Sequence, residues 1–350
     1  MSDSGQPVGR GVVLHRSLAI NLFHHAGDGA AGAQLDPTGN VVRTLNLNGG
    51  TMDVLASTDN FFDGAKFNTI PLNGDGLKGA PALTLNVGKD ITVTMANSFT
   101  DQSGNGPASL AKTGEGTLIL TGNNTYTGDT IVKAGTLKLS GNGSLSSSPS
   151  KIVIGSDSSA TLDVRDVGGF RVLTGQTFGG NSTIYGSMTF ENGSILAPGN
   201  SIGTVIVTGE VGDSVSLTLA DGCILDFDFG KPGSESLPGN SDRVVVNGAL
   251  ILPEDGRITL NLSDNANADG WGSIGNGTYM LFLYDSLDSV RDDLNTVFFV
   301  DSTPFCSADY TFFSRDGAIY LNIEGGTLVP EPASLAILML GGLALLRRRQ

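Results

Sequence analysis

Between residues 40 and 325 apolar and polar side chains alternate in short runs. Thr44-Leu45-Asn46-Leu47, Leu83–Val87, Ile91-Thr92-Val93, Leu217-Thr218-Leu219 and Ile258-Thr259-Leu260-Asn261-Leu262 each put every second residue on an apolar face. A period of two predicts strands with one buried side. Asn-Gly or Asp-Gly pairs interrupt the runs about fourteen times, among them Asn48-Gly49, Asn142-Gly143, Asn192-Gly193, Asn247-Gly248 and Asp255-Gly256. Such pairs favour turns with positive φ. Only residues 286–297 and the C-terminal tail carry a pattern compatible with a helix, so the chain is predicted to be all-β.

Internal repetition narrows the architecture. Gly116-Thr117-Leu118 returns as Gly135-Thr136-Leu137, 19 residues on, and Ala160-Thr161-Leu162-Asp163-Val164 follows about 25 residues later. A weaker echo lies at Ser194-Ile195-Leu196. In each copy the apolar partners share a face: Leu118 with Leu120, Leu137 with Leu139, Leu162 with Val164. Lys138 and Asp163 are expected to point outward. Rungs of roughly 20–25 residues suit a parallel β-solenoid, because no rung can bury its own apolar row without a neighbour. Roughly eight to twelve such rungs at about 4.8 Å each would make a rod of about 40–60 Å. Alternation alone does not separate parallel from antiparallel pairing, so an antiparallel sandwich stays open.

Residues 108–145 resemble the autotransporter-associated β-strand repeat of large exported bacterial proteins. The resemblance is carried by Leu110-Ala111-Lys112-Thr113-Gly114, Gly116-Thr117-Leu118, the stretch from Leu120 to Gly128, and the stretch from Val132 to Leu137. It continues more loosely through 196–201 and 241–248. The resemblance implies a right-handed parallel β-helix, exposed at the surface and without a catalytic signature. Autotransporters end in a barrel of strands about ten residues long. This chain ends differently, so self-translocation is not expected.

The C-terminus combines Pro330-Glu331-Pro332, an apolar run from Ala333 through Leu335 to Leu346, and Arg347-Arg348-Arg349. As a helix the 14-residue run would span about 21 Å at 1.5 Å per residue, short of the ~20 residues of a full crossing. It is expected to be a short hydrophobic helix and a marginal anchor, helped by snorkelling arginines that stay on the cytoplasmic side. These residues resemble the PEP-CTERM protein-sorting tail. The resemblance implies export, transient membrane insertion, and cleavage near Pro330–Pro332 by an exosortase-type enzyme for which Glu331 is a recognition residue. An exported chain should open with a basic start and an apolar stretch of about 7–15 residues. Residues 11–23 are interrupted by His15, Arg16 and Asn21, which points to a start placed too late or to a fragment. The expected organisation is therefore a poorly ordered segment at 1–35, a β-solenoid at 36–328, and the sorting tail at 329–350.

Composition removes several function classes. The 350 residues hold 35 acids against 20 bases, a net charge of −15. That balance argues against nucleic acid, which needs a basic footprint, and against docking on an anionic membrane surface. Three histidines, His15, His24 and His25, all lie within the first 25 residues, so the body lacks the commonest general base and metal ligand. Cys223 and Cys306 are expected to be unpaired and buried, since two thiols make no disulfide framework.

Candidate chemistry is sparse. Asp226 and Asp228 share a strand face at a separation of about 6.8 Å, within the range of an inverting glycosidase pair; no basic cluster sits beside them in sequence, although Arg243 could approach from a neighbouring rung. Their alternation with apolar residues is equally that of a solvated face. No phosphate loop or calcium nonapeptide is present, and no metal or cofactor is expected. Phe227, Phe229, Phe282, Tyr284, Phe312, Phe313 and Tyr320 are expected to form the thick end of the core and its cap, with a sugar-binding strip as the alternative. The expected function is an exported, non-enzymatic structural or adhesive protein of the cell surface or extracellular matrix. Its partners are export machinery and an exosortase-type enzyme, with extracellular polysaccharide a further candidate. Alternatives are a β-helical polysaccharide lyase or hydrolase built on Asp226 and Asp228, and a glycan-binding module using Trp271.

Overall fold

The computed structural model describes residues 12–14, 19–23, 44–48 and 50–328, apart from 60, 63–68, 75–80, 147–148, 157–159, 200, 235, 238 and 265–273. Between Thr51 and Leu219 the strands are short, and a strand pairs not with the next strand in the chain but with one a repeat away. Leu110–Thr113, Thr130–Val132, Lys151–Ile154, Thr177–Gly180 and Ile195–Pro198 are successive neighbours in an 11-stranded sheet. Thr117–Leu120, Gly135–Leu139, Ala160–Asp163, Ser182–Tyr185 and Thr204–Thr208 alternate with them and are neighbours in a second sheet of 13 strands. A further row, Phe170–Val172, Met188–Phe190 and Ser216–Leu219, joins that second sheet through the long strand Arg243–Ile251. These pairings are parallel, so the antiparallel sandwich does not hold.

Register explains why the sequence repeats. The two Gly-Thr-Leu copies lie side by side, Thr117 opposite Thr136 and Leu118 opposite Leu137. The column they belong to runs Val93, Leu118, Leu137, Leu162, Ile184, Val207, Val246, and every member is buried. Like stacks on like because a parallel in-register pairing sets equivalent side chains one strand spacing apart. The spacing along the chain is free to vary, from 19 residues between Leu118 and Leu137 to 39 between Val207 and Val246, since only the strands must match.

Polar residues of the repeat hold its corners. Asn124 accepts from the Phe99 N–H at 2.8 Å, and its Nδ2 donates to Ser144 O at 2.7 Å, so one side chain ties three layers. Asp101 accepts from the N–H groups of Ala108 and Thr127 at 3.0 and 3.1 Å. Lys112 is buried, and its Nζ donates to Gly114 O at 2.8 Å and Ala134 O at 2.9 Å. Burial lowers its pKa to about 8. Gly135 turns the corner at φ 70; a Cβ there would sit 2.5 Å from Gly116 O on the layer beneath.

Antiparallel strands stand at both ends. Val12–Leu14 pairs with Thr51–Val54, and Ala19–Phe23 pairs with Thr44–Asn48. At the other end the hairpin Phe305–Arg315 and Ala318–Leu328 packs antiparallel beside Gly277–Asp288. Aromatic rings run towards it in sequence: Phe227, Phe282, Phe298 and Phe312 are linked at centroid distances of 6.2, 6.2 and 5.1 Å. The expected core and cap role therefore fits Phe227, Phe229, Phe282, Phe312 and Tyr320, all buried. The outer edge of the hairpin is covered at one point by a side chain. Asn295 Oδ1 accepts from the Phe312 N–H at 2.8 Å and its Nδ2 donates to Phe312 O at 3.4 Å, while Asp293 Oδ1 holds Asn295 in place.

Three expectations need correction or placement. No helix forms over 286–297: Ser286, Leu287 and Asp288 continue a strand because they pair with Ala249, Leu250 and Ile251, and only Leu294–Thr296 is a short 3-10 turn. Cys223 is buried, its thiol pushed up to about 12 by burial and the Asp221 charge, but Cys306 is exposed on the C-terminal hairpin. The hydrophobic helix expected over 333–346 lies outside the described residues, and among those that are described no helix is long and apolar enough to cross a membrane.

Leu137→Ala, in the middle of the buried column, should cost about 2–5 kcal/mol of unfolding free energy. Lys112→Met should cost about 1–3 kcal/mol, because two corner carbonyls lose their donor. Chemical denaturation midpoints measure both, and a wild-type midpoint for either variant would contradict the stated role.

Candidate functional site

The sorting residues Pro330, Glu331, Pro332, Ala333, Leu335, Leu346 and Arg347–Arg349 lie outside the described residues, as do Trp271, His24 and His25. Asp226 and Asp228 are described. Both stand on the outer face of Ile224–Phe229, Asp226 exposed and Asp228 half-buried, alternating with buried Leu225, Phe227 and Phe229. They lie opposite Asn261 and Ser263 of the next strand. Arg243, the base that could approach them, lines a separate recess of about 340 Å³ together with Thr204, Ser241 and Met280.

A third acid, marked by no motif, lies nearby. Asp242 is buried, accepting from the Gly203 N–H at 2.6 Å and the Asp228 N–H at 2.9 Å. It closes the excursion between Ile224–Phe229 and Arg243–Ile251. Burial, followed by the charges of Asp228 and Asp226, raises its pKa to about 8 against the pull of the two amides. Burial and Asp226 also raise Asp228. A carboxyl locked onto two amides and closed to solvent stitches layers together; it is not placed to meet a substrate.

A more open feature lies on the second sheet. Lys138, Arg165, Asp166, Gly168, Gly169, Gly186, Ser187, Glu210, Asp213, Ser214 and Val215 line a groove of about 570 Å³. Lys138 and Asp163 are cross-strand neighbours, as their outward placement requires. Asp163 is nonetheless almost covered, because Arg165 grips it with Nε at 3.0 Å and Nη2 at 2.9 Å. Arg165 also bonds Glu210 and stacks 5.1 Å over the Tyr185 ring. Lys138 Nζ reaches Asp166 at 2.9 Å and Asp163 at 3.6 Å. Burial works against ionisation of Asp163, but the Arg165 hydrogen bonds and the Lys138 charge outweigh it and hold its pKa down. The Lys138 bond likewise lowers Asp166, and Asp166 raises Lys138. These partners hold Asp163 and Asp166 in the charged state across the neutral range.

Unfolded, an aspartate titrates near 3.9; folded, Asp242 titrates at about 8. The native state therefore holds the extra proton between those values. Its contribution to stability is complete below about pH 4 and is lost as pH rises through about 8. Between pH 5 and 8.5 the melting temperature of the wild type should fall more steeply than that of Asp242→Asn. Equal slopes would show that Asp242 does not take up a proton on folding.

The passenger-associated-transport-repeat family matches residues 110–139, and the PEP-CTERM protein-sorting motif matches residues 328–350. The chain is 29% identical over 259 residues to the adhesin BmaC autotransporter of Brucella suis biovar 1 (strain 1330), covering 65% of this chain and 8% of that protein. It is 31% identical over 169 residues to an extracellular serine protease of Serratia marcescens, covering 47% of this chain and 12% of the protease. The chain thus spans only a small part of the length of the curated relatives it matches. Residues 110–139, which match the passenger-associated transport repeat, lie within parallel sheets, and residues 328–350 match the PEP-CTERM protein-sorting motif.

Proposed function

We propose that this chain is an exported, non-enzymatic protein whose parallel sheets wind as a right-handed β-helix, doing structural or adhesive work at the cell surface or in the extracellular matrix. The observation that carries the reading is the buried in-register column from Val93 to Val246 in a chain that ends in a sorting motif. Strands that recur in three rows, each pairing with a strand one repeat away, suit coils stacked along an axis. The mechanism is passive. Stacked layers resist unfolding, and the tail supplies the address.

Tail processing follows from the motif. An exosortase-type enzyme recognises Glu331 between Pro330 and Pro332 while the run from Ala333 to Leu346 sits in the membrane, with Arg347–Arg349 as its cytoplasmic stop. Cleavage then frees or attaches the chain outside. The adhesin relative supports surface work, and the extracellular serine proteases lend the reading an extracellular setting.

A β-helical lyase or hydrolase built on Asp226 and Asp228 is the second reading, favoured by their shared outer face. Against it stands their pattern, acids alternating with buried Leu225, Phe227 and Phe229, as on any solvated strand.

Mass spectrometry of the chain produced in a host with PEP-CTERM sorting should find external material that lacks residues 333–350. Glu331→Ala should leave the tail attached and the protein in the membrane fraction. External wild-type protein that still carries Arg347–Arg349 would remove the sorting argument. Release of reducing or unsaturated ends from acidic polysaccharide, abolished by Asp228→Asn, would replace the non-enzymatic reading with the second one.

A further inference from the structure

The groove beside Lys138 owes its shape to unequal connections. Three consecutive layers pass from the second sheet to the adjoining row. Ala160–Asp163 reaches Phe170–Val172 through residues 164–169, Ser182–Tyr185 reaches Met188–Phe190 through Gly186 and Ser187 alone, and Thr204–Thr208 reaches Ser216–Leu219 through residues 209–215. The middle connection is short and its neighbours are long, so the middle layer forms a floor between two walls.

Each wall is held by its own bonds. Residues 164–169 curl into a 3-10 turn, with the Gly168 and Gly169 N–H groups donating to Arg165 O and Val164 O. In residues 209–215 the Asp213 carboxylate accepts from the Glu210 N–H at 2.8 Å. The floor admits nothing bulky: at Gly186, with φ 115, a Cβ would meet Val164 Cγ2 at 3.0 Å. Two strand spacings separate the walls, about 10 Å from centre to centre. The Arg165–Glu210 bond joins the walls across part of that gap; the remainder suits one sugar ring or one extended chain and rejects an α-helix, which is about 10–12 Å across.

The lining sets the chemistry. Val215 is its sole large apolar residue, which excludes an apolar ligand. Two bases face three acids, Asp166, Glu210 and Asp213, within a chain of net charge −15, which disfavours a polyanion. Both bases are already engaged, Lys138 with Asp166 and Arg165 with Glu210. Asp166 and Glu210 are nevertheless exposed, at 45% and 71% of their side-chain surface, and keep acceptor positions free. Fixed carboxylates beside fixed cationic donors match paired hydroxyl groups, each of which both donates and accepts.

We propose that the groove between residues 164–169 and 209–215 binds a neutral oligosaccharide one ring wide, with Asp166 and Glu210 accepting from adjacent hydroxyls and Lys138 and Arg165 donating to them. This deepens the adhesive reading above, and the two fail separately: tail processing tests export, whereas saccharide binding by the purified chain tests the groove.

The test is calorimetric titration of the full chain with neutral gluco-, manno- and chito-oligosaccharides, with oligogalacturonate and oligolysine as charged controls. Two variants accompany it. Ser214→Trp fills the groove from an exposed wall position, and Glu210→Gln keeps the shape while removing a charged acceptor. At least one neutral oligosaccharide should bind, with little dependence on salt, and each variant that melts like the wild type should weaken it by about tenfold or more. Should Ser214→Trp fail to fold, Glu210→Gln alone decides. The proposal is overturned if no neutral oligosaccharide binds at millimolar concentration, if binding survives Glu210→Gln unchanged, or if oligolysine or oligogalacturonate binds in the groove instead.

Discussion

Everything in this molecule depends on parallel strands meeting in register. A single layer of three- to five-residue strands cannot bury its apolar side chains or satisfy its own backbone groups. Its neighbours do both at once. Leu137 is buried because Leu118 and Leu162 lie on either side of it in the ladder, and the same pairings supply the hydrogen bonds. A one-residue slip would turn the column outward and put Lys138 and Asp163 inside, so apolar alternation and pairing enforce one another.

Corners are where such a design is weakest, since the ladder stops and backbone groups lose their partners. Here side chains take over. Asn124, Asp101, Lys112 and Asp242 each bond backbone groups from other segments of the chain. These are polar groups doing the work of hydrogen-bonded backbone, and each would be costly to bury without its partners. Outside the corners, long connections add surface without disturbing the stack, which is how a groove arises from three layers of otherwise equivalent strands.

Much of this was legible in the sequence because it is local. Period-two alternation marked the strands, and the Gly-Thr-Leu copies marked which strands would meet. The aromatic residues from Phe227 onward were read as core and cap on their alternation alone. What escaped is set by long-range pairing. The run after Asp285 looks helical until Ala249–Ile251 is seen to extend it as strand. Cys306 was expected inside, yet it lies on a hairpin whose register shifts between Phe305 and Ser307. Asp242 reads as an ordinary loop acid until Gly203, some forty positions earlier, is found at its oxygen. The charged groove was likewise invisible, because its walls are separated by two repeats of sequence and only the strand pairing brings Arg165 to Glu210.

Asn295 carries a further consequence. A hairpin edge with open N–H and C=O groups is an invitation to another chain. At Phe312 that invitation is already answered by an amide borrowed from a side chain, which imitates a strand one residue long. An incoming strand would have to evict Asn295 from Asp293 before it could continue the ladder. The same backbone logic that lets strands accumulate within the molecule is thereby given a local stop at Phe312.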